Sequence, residues 1–164
     1  MKLKSCLRSI SLSLATLVFL ISTFSTAGFS ATPTPASRSP KATCRIEVDD
    51  AHISTSIQRN SGIRVVKVNA KSICNVRQER VTLTLEIYKV GKFSNYLMHR
   101  SQTNPNSSKS SGLIVKIQDS KVLCINSKPS SYFGVVSSKA FIQGKWQYAG
   151  NTRSVNVIKL NCGN

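Results

Sequence analysis

"VVKVNAKSIC" (65–74) and "VTLTLEIY" (81–88) decide the fold class. In the first, Val66, Val68, Ala70 and Cys74 fall on one side of an extended chain and Lys67, Asn69 and Lys71 on the other; in the second, Val81, Leu83, Leu85 and Ile87 alternate with Thr82, Thr84 and Glu86. A period of two marks a strand with one buried face, because successive side chains of a strand leave on opposite sides. Working outward, "GLIVKI" (112–117), "KVLCI" (121–125), "SYFGVVSSKAFI" (131–142) and "SVNVIKLNC" (154–162) supply further short runs of Val, Ile and aromatic residues between Asn, Gly, Ser and Pro. No eleven-residue window repeats apolar residues at helical spacing behind a convincing cap. The expectation is an all-β domain, an antiparallel immunoglobulin-like β-sandwich of about seven strands, with a small β-barrel as the alternative.

The first residues are of another kind. Lys2, Lys4 and Arg8 precede an apolar run at 10–21 and then small residues, the order of a secretory signal peptide, with cleavage expected after Ala27 because Ser25 and Ala27 are small and two apart. Residues 28–43 are rich in Pro, Ser, Thr and Ala, with Pro33, Pro35 and Pro40, and read as a solvated linker to a domain at 44–164. The whole chain carries 23 basic and 6 acidic residues, a net charge of +17. Loss of residues 1–27 leaves 20 basic residues against 6 acidic, a net charge near +14. Such an excess attracts polyanions: envelope glycopolymers such as teichoic acids, anionic lipid headgroups, or nucleic acid, for which no motif is present.

Four cysteines remain in the expected mature chain, Cys44, Cys74, Cys124 and Cys162. An even count in an exported domain of this size implies two disulfides. If the strands that Cys44 opens and Cys74 closes run antiparallel, the two sulfurs meet at one end of the sheet, and the same reasoning prefers Cys124 with Cys162. Spacings of 30, 50 and 38 residues lack the close pairs of a zinc site.

The opening Cys44, the His52-x-Ser54 step, the valine-rich strand ending in Cys74, "TLTLEIYKVGK", Cys124 followed by Tyr132-x-Gly134, and the closing "VIKLNC" resemble small secreted, disulfide-bonded proteins of actinobacteria. The resemblance covers Cys44 to Cys162. Those proteins have no assigned activity, so it implies export, disulfides and an all-β fold, and no chemistry.

Catalytic equipment is sparse: two histidines, six carboxylates, and none of the HExxH, GxSxG, SxxK or glycine-rich phosphate motifs. The densest acidic patch is "EVDDAH", with Glu47, Asp49, Asp50 and His52, which reads first as a turn whose acids pair with Lys or Arg. Neither a cofactor nor a metal is expected, and no enzymatic activity. Two hairpins interleave aromatic and basic residues, "YKVGKFSNYLMHR" (88–100) turning at Val90 and Gly91, and "FIQGKWQYAGNTR" (141–153) turning at Gly144 and Lys145. Strict alternation would set Tyr96, Met98 and Arg100 on one face. Lys89, Lys92, Tyr96, Met98, Arg100, Lys145, Trp146 and Tyr148 are therefore the candidate binding surface, since rings stack and cations pair with anions. The expected function is a secreted, non-enzymatic binding module for anionic envelope polymers or membrane surfaces; the alternative is an antimicrobial or toxin-like effector acting on an envelope.

Overall fold

The structure, a computed structural model, describes residues 39–164. The expected signal peptide and the linker up to residue 38 lie outside the described residues. The described residues form strands β1 (Cys44–Val48), β2 (His52–Ile53), β3 (Val65–Lys67), β4 (Ala70–Val90), β5 (Asn95–Gln102), β6 (Gly112–Ile117), β7 (Lys121–Leu123), β8 (Asn126–Ile142), β9 (Lys145–Arg153) and β10 (Ile158–Gly163), with a short helix α1 (Thr55–Ser61). Antiparallel all-β is thus the class observed, and the larger sheet is curled into a half-barrel. The helix was not expected. At seven residues it is too short to show helical periodicity, and its signals are local: Ser54 caps its start and Gly62, at φ 68°, ends it.

The second quoted stretch and the last part of the first, residues 70–74, lie on a single 21-residue strand, β4, while Val65–Lys67 of the first form β3 in the other sheet. One edge of β4 carries β1 at residues 70–74 and β8 at 78–89; the other carries β6 at 70–78 and β5 at 84–90. The outer edge of β8 carries β10 and then β9, completing a seven-stranded sheet. Strands β2, β3 and β7 form a second, three-stranded sheet. Its Val66 and Val122 join the same buried cluster as Leu83, Leu85, Ile87, Tyr132 and Val136 of the large sheet, so the two sheets share one core.

Both quoted alternations point into that core, although one runs on even and the other on odd numbers. A bulge reconciles them. Between Glu79 and Thr82 the strand advances three residues while β8 advances two, and Arg80, at φ 48°, absorbs the extra one. Ala70, Ser72, Cys74 and Gln78 are buried before the bulge, and Val81, Leu83, Leu85 and Ile87 after it. Gln78 carries an amide into this interior and satisfies it locally. Its Nε2 donates to the Ser72 and Leu113 carbonyls at 3.1 and 3.2 Å, and its Oε1 accepts from Ser72 Oγ at 2.7 Å.

The disulfides are Cys44–Cys74 and Cys124–Cys162, and Cys44 and Cys74 are direct register partners of β1 and β4. The described part of the expected linker is bound to the domain. Lys41 and Thr43 each hydrogen-bond to the Asn75 side chain, and the Pro40 carbonyl accepts from Gln143 Nε2 at 2.7 Å. Residues 40–43 thus lie hydrogen-bonded against the strands that follow them.

Candidate cationic and aromatic surface

The hairpin of β8 and β9 sets the site. Gln143 and Gly144 have φ of 49° and 78°, the two positive values of a two-residue type I′ turn, which pairs Ile142 with Lys145. That register puts Phe141 beside Trp146 and Lys139 beside Tyr148, each pair on the sheet face turned away from the core. Phe141 and Trp146 meet edge to face with ring centroids 5.4 Å apart. Lys139 Nζ lies 4.4 Å from the Trp146 centroid and 5.5 Å from that of Tyr148. Arg80, thrown outward by the bulge, stands 4.4 Å over Phe141 and 5.4 Å from Trp146. The rings hold two cations at distances where the ring quadrupole attracts them, while Trp146 and Tyr148 stay 41% and 71% exposed.

Beside this cluster runs a shallow groove of about 310 Å³, floored by Thr82, Thr84, Ser137 and Gln102 and walled by Lys139 and Tyr148. Thr82 and Thr84 alternate with Val81, Leu83 and Leu85 along β4, and Ser137 and Gln102 flank Thr84 as its register partners, so the alternation that builds the core also lines the groove with hydroxyl and amide groups. Further along the same face Tyr88 stacks on Phe133 at 5.3 Å, and Arg153 covers Phe133 at 3.8 Å. Glu86 is occupied there by Arg100 at 2.6 Å and by the Tyr88 hydroxyl at 2.7 Å. That hydrogen bond to Glu86 is the main cause of a raised Tyr88 pKa. Glu79 also opens on this face, in register with Phe141. Residues 120–164 hold six Lys or Arg and no Asp or Glu, so β8, β9 and β10 bring no counter-charge of their own.

The residues singled out in the sequence do not form one surface. Trp146 and Tyr148 lie in this cluster, but Lys145 pairs with Ile142 at the turn and shares its inward side. Arg100 reaches the outer face and is spent on Glu86. Lys89, Lys92 and Tyr96 sit toward the opposite end of β4, Lys89 lying seven residues beyond Thr82, the partner of Lys139, and thus about 23 Å along the strand at 3.3 Å per residue. Met98 packs against the core. A bulge causes that last departure: Ile87 faces His99 and Tyr88 faces Leu97, so Met98 has no partner and the faces exchange. Arg80, Lys139, Phe141, Phe133 and Arg153 were missed. Lys139 and Phe141 were legible, since a two-residue turn at Gln143 and Gly144 fixes their partners; Arg80 was not, because its direction depends on the bulge.

The acidic patch is dispersed. Glu47 binds Arg45 at 2.7 Å and Lys71 at 2.9 Å, and the Arg45 hydrogen bond, then that of Lys71, lower its pKa. Asp50 accepts from the side chain and backbone nitrogen of Asn156 at 2.7 and 2.9 Å, which lowers its pKa too. Asp49 accepts from Asn69, and His52 Nδ1 lies 3.2 Å from the Asp50 carbonyl. Among the described residues no group of three or more His, Cys, Asp or Glu gathers as a metal site requires. A cleft of about 350 Å³ between β1 and the β8–β9 hairpin is roomier than the groove. Its deepest polar groups are Ser72 and Gln78, which already satisfy each other.

No family model, no curated protein and no solved structure matches this chain.

Proposed function

We propose that this chain is an exported, non-enzymatic binding module whose outer face adheres to anionic glycopolymers of the cell envelope. One observation carries the reading: Lys139 and Arg80 are shelved on Trp146, Phe141 and Tyr148 next to a hydroxyl-lined groove. A cation held on a ring has lost part of its water and its freedom before the ligand arrives, so an incoming phosphate or carboxylate orders less on binding. The exposed face of Tyr148 offers a flat apolar surface for a sugar ring, and Thr82, Thr84, Ser137 and Gln102 offer neutral partners for its hydroxyls. The acid-free stretch from 120 to 164 extends the positive field around the groove. The two disulfides are consistent with an extracellular setting. The immunoglobulin-like sandwich belongs to the same proposal, supported by a second sheet that shares the core of the first.

The test is titration of the purified chain with wall teichoic acid and, separately, with the neutral glucan dextran, at low and high salt. Binding to the anionic polymer alone, released by salt, is expected. The Lys139→Ala/Tyr148→Ala double variant should lose about tenfold or more in affinity, since cation–π and stacking contacts are each worth roughly 0.5–1.5 kcal/mol. Equal binding of dextran, or an unaffected double variant, refutes the proposal.

A further inference from the structure

At the far end of β4 the chain reverses through residues 91–94, closing with Val90 opposite Asn95. The turn is longer than the two-residue hairpin expected at Val90 and Gly91, and Gly91 is not among the glycines of positive φ. Gly91 is required for space instead. A Cβ there would lie 2.2 Å from the Tyr96 ring and 2.3 Å from the Ser94 carbonyl oxygen. The tip is therefore packed on its own backbone, and it presents Phe93 90% exposed, with Lys92 Nζ 5.3 Å from the ring centroid. Val90, Tyr96 and Leu97 are exposed around it.

Three further facts bear on what such a tip meets. Residues 87–118 contain no Asp or Glu, so no carboxylate opposes Lys92 locally. Strands β8 and β10 run on past the Lys89–Tyr132 pair, and this overhang carries Lys128 and, opposite Ser131, Lys159. Lys89 itself is engaged by the Asn164 backbone carbonyl, which ties the end of β4 to the end of β10. An apolar wedge surrounded by uncompensated lysines matches the boundary of an anionic bilayer, where rings settle at the headgroup level and ammonium groups meet phosphates. A second copy of the chain would bring like charges together.

We propose that the β4–β5 tip docks the protein on an anionic lipid surface, with Phe93 at the acyl boundary and Lys92, Lys128 and Lys159 at the headgroup phosphates. This site is separate from the groove, whose nearest floor residue on β4, Thr84, lies six residues and thus about 20 Å along the strand from Val90. The test is partition of the purified chain onto vesicles of phosphatidylcholine with phosphatidylglycerol and onto vesicles of phosphatidylcholine alone. Binding to the anionic vesicles only is expected. Phe93→Ser should weaken it about tenfold or more, and Lys92→Ala about fivefold. Lys139→Ala/Tyr148→Ala should leave it unchanged, whatever becomes of polymer binding. Equal binding to both vesicles, wild-type partition by Phe93→Ser, or loss confined to the Lys139/Tyr148 variant overturns the proposal. So does a lowered thermal midpoint in Phe93→Ser, which would seat that ring within the protein, or a vesicle-independent dimer that Phe93→Ser abolishes.

Discussion

Gly134 lies on β8 opposite Ile87, with Val68 and Val48 packed directly over it. A Cβ at this position would sit 2.6 Å from Val68 Cγ1 and 2.9 Å from Val48 Cγ2, closer than real Cβ atoms come to neighbours. The backbone cannot retreat to make room. Gly134 N donates to Ser154 Oγ at 3.2 Å, its carbonyl accepts from Ser154 N at 2.9 Å, and β4 holds the other edge. Val68 is fully buried and has little space to turn into. Gly134→Ala should therefore cost about 2 kcal/mol, within the 1–3 kcal/mol typical of overpacking, and lower the thermal midpoint by about 6–10 °C for a domain of this size. Val68→Ala alone should cost about 2 kcal/mol through lost burial and the cavity it leaves. In the double variant that cavity accepts the new methyl group, so the combined loss should fall short of the sum by about 1 kcal/mol or more. Equilibrium urea unfolding of the four proteins, followed by circular dichroism, measures the cycle. A neutral Gly134→Ala, or strictly additive losses, would refute the close approach of these strands.

Tyr132 is buried and donates its hydroxyl to the Cys162 carbonyl at 2.8 Å. Tyr132→Phe should cost about 1–3 kcal/mol, because it strands a buried acceptor. Burial raises the Tyr132 pKa above its ordinary 10.0. The unfolded chain thus releases this proton first, and stability should fall as pH rises past 10; Tyr132→Phe should remove part of that alkaline loss in urea midpoints measured against pH, Tyr88 supplying another part. Replacing either cysteine pair by serine should cost about 3.6 kcal/mol for the 30-residue closure and about 3.9 kcal/mol for the 38-residue one in the loop-entropy account. An unchanged denaturation midpoint in either pair variant would contradict it.

The inward faces of β3, of the link that follows it and of β4 were legible because Val66, Val68, Val81, Leu83, Leu85 and Ile87 declare themselves by period alone. The cysteine pairing was legible for the same reason, as antiparallel strands return to the same end. What the sequence hid was continuity. Nothing in "NVRQERV" says that the chain runs on as one strand, since its polar residues read equally well as a loop and only pairing with β8 and β6 holds them extended. The proposed binding surface was half visible. Trp146 and Tyr148 stood out as aromatic residues near basic ones, but the cations they hold come from across the hairpin and from a bulge. Proximity in sequence suggested Lys145 where proximity in space supplies Lys139 and Arg80. Met98 shows the converse: one irregular residue in β5 was enough to move it from surface to core.

The extra residue at Arg80 gives β4 something like a reading frame. From Cys74 to Val81 is seven positions, an odd interval, and both ends face inward only because one position is taken out of phase. Deleting Arg80 would match the two-residue advance of β8, restore an unbroken period of two from Cys74 to Ile87 and leave the aliphatics facing inward, but it would remove the cation that the bulge sets over Phe141. The odd interval therefore serves the outer face rather than the core: a chain one residue shorter here would keep its buried side chains in phase and lose one of the two cations held on the rings.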